Sequence, residues 1–210
     1  MRRMHRRRTR GQAMVELAIL VPLLVFLFLG SWTATALVGD NDTALQATQV
    51  GARYGAELGG SEPEGLQLNT GPYANCPSDA TETTCQVDVD IIDEMLPVFS
   101  TNMPNAVVHF IDIYEPNGSG NGCTFASGTC PPPGAGAFVT GDYEAVDTYP
   151  ISGTTVGAPT SISYVLSQRD VNAPDQSELG VAIQFTYTSP TWSLFTIAND
   201  TQYSVERLEA

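Results

Sequence analysis

The first forty residues restrict this chain more than anything that follows them. Six arginines stand before Gly11, and only Arg53, Arg169 and Arg207 come after it in a sequence of 210 residues that contains no lysine. From Leu17 to Leu29 no side chain is polar, and from Leu17 to Gly39 none is charged. Ala13 to Val38 makes 26 mostly apolar positions interrupted by a single acid, Glu16. Wound as an α-helix, that stretch rises roughly 39 Å at about 1.5 Å per residue. The hydrocarbon core of a bilayer is about 30 Å thick and is crossed by about 20 residues. The segment is long enough to span it.

The arginines set the expected orientation. Lys/Arg excess marks the cytoplasmic flank, so residues 1–11 are expected inside and everything beyond Gly39 outside. Past Gly39 there are 22 acids against three arginines, a balance of −19, so the whole-chain net charge of −14 conceals two regions of opposite sign. A surface so acidic repels phosphate, which disfavours nucleic acid as a partner. The amino-terminal arginines are expected to meet anionic lipid from the inside.

Glu16 is the informative exception. A carboxylate facing lipid costs on the order of 3 kcal/mol on insertion scales, so such an acid is normally absent or paired. A secretory signal has a basic region, an uninterrupted apolar run and a small-residue cleavage site. Ala34-Thr35-Ala36 supplies such a site here, but a secretory signal does not account for an acid five residues after a glycine that closes the basic stretch.

The residues Arg10-Gly11-Gln12-Ala13-Met14-Val15-Glu16, followed by an apolar run, resemble the prepilin-type signal of type IV-like pilins. Continued through Leu17-Ala18-Ile19-Leu20-Val21-Pro22, they resemble the opening of TadE-like pseudopilins of the tight-adherence (Flp) pilus system. The resemblance covers residues 10–60 and, more weakly, the carboxyl end. It implies cleavage by a prepilin peptidase after Gly11, a new terminus at Gln12, and Glu16 as an assembly residue that pairs with a neighbouring subunit's terminal amine. It also implies partners: other pilins or pseudopilins, a membrane assembly platform and the lipid bilayer. Major Flp pilins are very short and follow the acid with tyrosine; Leu17 and the long outer region favour a minor component instead. The implied location is the cytoplasmic membrane, single-pass, with the carboxyl-terminal domain outside or carried in a pilus. Two alternatives stand beside this one: a plain anchor carrying an extracytoplasmic binding domain with no pilus role, and a cleaved secretory signal.

The expected division is a basic leader (1–11), a transmembrane helix (12–39), a helical extension or stalk (40–60) and an outer domain (61–210). Leu37, Ala44, Leu45, Thr48, Ala52 and Ala56 recur at three- and four-residue steps, so the helix is expected to run past the membrane. Asp40-Asn41-Asp42 is a possible break, N-cap or exit point. The small residues of 44–57 permit close helix approach, either to other subunits or to the chain's own domain. Gly59-Gly60 ends the helix through a left-handed cap.

The outer region holds four cysteines in two close pairs, Cys76 with Cys85 and Cys123 with Cys130. Outside the cytoplasm an even count implies disulfides. Three pairings are possible, and short loop closure favours the local ones, each contributing about 2–3 kcal/mol. Val87, Ile91, Met95 and Phe99 at four-residue steps predict a helix over 86–102, with Pro97 kinking or ending it. Val107–Tyr114, Ser161–Ser167, Gly180–Thr188 and Gln202–Leu208 read as strands, and 116–137 as a long loop. Periodicity supports no more than some helix and some sheet. The resemblance adds the arrangement: an α+β fold of pilin-like plan, with a long amino-terminal helix followed by a small antiparallel sheet with long disulfide-stapled loops.

Chemistry is sparsely provided. The outer region offers one histidine, His109, as a base, and no G-x-S-x-G, H-E-x-x-H or phosphate-cradling loop. No enzyme, cofactor or metal is expected. Asp40/Asp42 and Asp88/Asp90/Asp93 offer oxygen ligands of the kind calcium takes, but neither stretch has the spacing of a calcium loop. Trp192, Phe195 and Tyr203 are expected in the core rather than in an adhesive patch.

Overall fold

A computed structural model describes residues 5–59, 71–78, 81–116, 143–171, 177–189 and 196–208. Helix α1, His5–Leu58, runs without interruption through Asp40-Asn41-Asp42 and contains Pro22. It ends where the sequence places the stop: Gly59 takes φ of 59°, and its N–H donates to the Gly55 carbonyl at 3.1 Å. A short 3-10 turn, Gly71–Asn75, precedes helix α2, Glu82–Asn102. Five strands follow among the described residues: β1 Ala106–Pro116, β2 Tyr143–Ser152, β3 Thr155–Val156, β4 Glu178–Thr188 and β5 Thr196–Arg207. They form one sheet, in the order β3-β2-β1-β4-β5, with every pairing antiparallel. This is the long helix and small antiparallel sheet that the resemblance implies.

The second half of α1 and the whole of α2 cover one face of the sheet. Ala44, Ala47, Thr48, Ala52 and Ala56 are buried, on the three- and four-residue steps of one helical face. The close approach is built on glycine. A Cβ on Gly51 would lie 2.3 Å from the Met95 sulfur of α2, and one on Gly55 would lie 3.0 Å from Ile91 and from Leu179 of β4. The small-residue face of α1 therefore packs on the chain's own domain. From α2, Val87, Ile91, Met95 and Phe99 all point into this core, as their spacing predicts.

Three details depart from the sequence expectations. Pro97 does not end α2, which continues five residues to Asn102. Ser161–Ser167 is not a strand: Ser161 makes one bridge to Thr148, and a 3-10 turn follows at Leu166–Gln168. The reason is a side chain, because the amides of Ser163 and Tyr164 donate to the carboxylate of Asp147 and are lost to any ladder. Strand β2 has no counterpart among the expected strands. The expected loop over 116–137 falls mostly outside the described residues.

The directions of the elements set the geometry of the domain. Tyr187, near the end of β4, reaches the Thr33 carbonyl, while Leu179 near its start packs at Gly55. Strand β4 therefore runs antiparallel to α1, and so does α2, with Ile91 at Gly55 and Met95 at Gly51. The α2–β1 turn, the β2–β3 turn and the end of β4 at Thr188 all lie at the end of the domain nearer the apolar half of α1.

Candidate functional site

Among the described residues, nothing covers the apolar half of α1. Met14 through Phe28 are exposed, with large hydrophobic side chains showing between 47% and 75% of their surface. Among the described residues it is the one helix long and apolar enough to cross a membrane. A helix apolar on all sides and bare of protein has the character of a lipid-facing segment. Gly11 lies inside the helix, with no break at the expected processing point. Glu16, five residues on, is exposed within the bare segment. The structure places both on one helix, a little more than one turn apart.

The outer domain contains a buried ionic cluster that the sequence reading missed. Arg169 Nη2 donates to Asp88 Oδ1 at 2.6 Å, to Asp147 Oδ2 at 3.2 Å and to the Tyr164 carbonyl at 3.0 Å. Tyr149 donates its hydroxyl to Asp88 Oδ2 at 2.8 Å, and the guanidinium lies 4.9 Å from the Tyr164 ring centroid. All three charged side chains are sealed from solvent. Burial, and then the neighbouring Asp88, push the Asp147 carboxyl up to about 8, against the opposing pull of the Tyr164 amide and Arg169. Two carboxylates share one buried cation, so one of them retains a proton at neutral pH. The signal lay in the sequence. Arg169 is one of three cations beyond Gly39, and Asp88 sits one turn after Thr84 on the buried face of α2.

The other acids have structural employment. Asp90 accepts from the Tyr73 hydroxyl, a bond that is the main cause pushing that phenol up to about 12. Asp112, buried between β2 and β4, accepts from Thr148 at 2.6 Å and from Gln184. Asp40 is buried and interacts with Asn105; burial raises its carboxyl above the ordinary range. Among the described residues no group of three or more His, Cys, Asp or Glu could hold a metal ion. His109 sits at a β-bulge between Val108 and Phe110 and bonds Thr186 Oγ1 at 2.8 Å.

Cys76 and Cys85 form a disulfide, with Cα atoms 5.7 Å apart, tying the turn before α2 to its first turn. Cys123 and Cys130 lie outside the described residues, as do Trp192 and Phe195.

Fold and site together define a class: a small α+β domain carried on one long amino-terminal helix of membrane-anchor type. Within that class, residues 11–53 match the family model described as TadE-like protein, so the chain is TadE-like over the helix that carries both Gly11 and Glu16. The match takes in the bare segment and most of the packed one, and stops before the sheet. No curated protein and no solved structure matches the chain.

Proposed function

We propose that the chain is a minor pseudopilin of a tight-adherence pilus system and acts by assembly rather than catalysis. The family match to residues 11–53 carries this reading, since it opens at the residue after which a prepilin peptidase would cut. In it, residues 1–11 stay in the cytoplasm, 12–39 span the cytoplasmic membrane, 40–60 continue the helix and 61–210 form the outer domain. Cleavage after Gly11 exposes Gln12. Glu16 then meets a neighbouring subunit's terminal amine, which removes the cost of holding a carboxylate in lipid. Other pilins, the assembly platform, the peptidase and lipid are the partners. The exposure of Met14–Phe28 supports it, because an uncovered helix is free to pack in a bundle.

The test combines terminal sequencing of protein taken from membranes with a Glu16→Ala variant. A start at Gln12, with Glu16→Ala still inserted but no longer co-isolating with pilus components, is the expected result. A start at Leu37, or unchanged co-isolation of the variant, refutes it.

A further inference from the structure

We infer that the end of the outer domain nearest the anchor is a lipid-docking rim seated among the headgroups of the outer leaflet, with lipid filling the cleft between rim and helix. The inference rests on the reading of α1 as a single span. Counting from Gln12, 21 residues end at Trp32, a rise of about 31 Å. That equals the roughly 30 Å hydrocarbon thickness and puts Trp32, which is 59% exposed, at the boundary where tryptophan is enriched.

The domain reaches down to that level. Tyr187 donates its hydroxyl to the Thr33 carbonyl at 3.2 Å. Asn105, in the α2–β1 turn, lines a cleft of about 380 Å³ together with Phe28, Ser31, Trp32, Thr35 and Ala36. Its lining by Phe28 and Trp32 puts this cleft at the depth where acyl chains meet headgroups. Exposed Pro104 forms the tip of the same turn, exposed Val107 begins the strand after it, and Gly153-Thr154 makes the neighbouring β2–β3 turn.

Charge is the independent observation. In so acidic a region, no Asp, Glu, Lys or Arg occurs from Met95 to Ile111, from Thr148 to Gln168, or from Leu179 to Asn199. The first two stretches supply the α2–β1 and β2–β3 turns at the rim, and the third supplies the end of β4. Four acids stand at the opposite end: Glu57 near the close of α1, Asp90 beside Ile91, Glu178 at the start of β4 and Glu206 opposite Leu179. The nearest acid above Trp32 is Asp40, eight residues and about 12 Å higher along the helix. Asp40 is buried and turned into the domain, where it interacts with Asn105, so it adds no charge to the exposed surface of the rim. An uncharged rim below an acidic body suits a surface that is itself negative or zwitterionic, and it predicts contact through apolar and neutral groups with little dependence on salt.

The experiment uses the full chain in phosphatidylcholine vesicles, plain or brominated near the headgroup end of the acyl chain, with bromine as the tryptophan quencher. Single-tryptophan chains carry Trp32 alone (with Trp192→Phe), or Pro104→Trp, Thr154→Trp or Glu94→Trp in a chain with Trp32→Phe and Trp192→Phe. Trp32 and both rim probes should lose most of their emission in brominated vesicles, while Glu94→Trp keeps its emission. Quenching of Trp32 with neither rim probe affected leaves the span intact and overturns the rim. Rim probes that escape bromine but shift to the blue as protein density rises show a second copy covering the rim, and also overturn it. Quenching of Glu94→Trp means the domain lies on its side, which overturns the rim as well. An unquenched Trp32 overturns the span reading itself.

Discussion

Replacing Asp147 by asparagine should make the outer domain less sensitive to pH, in a direction the cluster dictates. Asp147 Oδ1 accepts the Ser163 and Tyr164 amides at 2.6 and 2.8 Å, while Oδ2 lies beside an arginine already engaged by Asp88 at 2.6 Å. Ionising both acids would leave a net buried negative charge, and burial followed by repulsion from Asp88 holds the Asp147 proton to about 8. A carboxyl raised above its unfolded value binds its proton more tightly in the native state. Its contribution is therefore complete below about pH 4 and is lost as pH climbs towards about 8. One proton gives a slope of about 1.4 kcal/mol per pH unit. Asparagine fixes the uncharged state: its carbonyl keeps the two amides, while its NH₂ cannot accept from Arg169 as Oδ2 does, a cost that offsets the whole curve without changing its slope. The stability of Asp147→Asn relative to the natural chain should rise by about 1.4 kcal/mol per unit between about pH 5 and about pH 7. Urea unfolding of both chains in detergent, at several pH values, measures this directly. Asp112 and Asp40, also raised by burial, are common to both chains and drop out of the difference. Parallel stability curves would refute the placement of the proton on Asp147.

Two further outcomes follow from packing. A Cβ on Gly180 would lie 2.3–2.6 Å from ring atoms of Tyr114, which is fully buried, so Gly180→Ala should cost about 1–3 kcal/mol in thermal unfolding; adding Tyr114→Leu should then cost less than the sum of the two single changes. Replacing Cys76 and Cys85 together by alanine should lower unfolding stability by about 2–3 kcal/mol, and a reductant should then have less effect on the variant than on the natural chain.

What the sequence disclosed tracks the reason each residue stands where it does. Val87, Ile91, Met95 and Phe99 are apolar, periodic and buried, so the signal and the cause coincide. Strand β2 fails that test because its core-facing set is Ala145, Asp147, Tyr149 and Ile151. An acid in the middle of the alternation hides the period, and Pro150 argues against a strand unless its neighbours are seen. The same acid explains why Ser161–Ser167 reads as a strand and is none: it takes the amides that a partner strand would have bonded. The roles proposed for Gly11 and Glu16 rest on a motif and not on the fold. The rim was not legible, because its two turns are far apart in sequence and share only an absence of charge, which acquires meaning once topology gathers them at one end.

The single helix α1 answers to two solvents, and the division of labour lies in side-chain size. From Met14 to Phe28 it is bulky and apolar on every side, which suits lipid. From Asp40 to Leu58 it narrows on one face to alanine and glycine, letting α2 and β4 approach, while Gln46, Gln49, Arg53 and Glu57 face a polar groove. Because the helix runs on between these halves, and Tyr187 ties β4 to Thr33, the domain has no hinge at the membrane surface. The one built-in irregularity, Pro22, removes the N–H that would bond the Ala18 carbonyl, and it lies within the bare half. Bending at Pro22 would tilt the leading turns of the helix, including Glu16, without disturbing the packing at Gly51 and Gly55. Any rotation or axial movement of the upper helix during assembly must carry the whole outer domain with it as a rigid body.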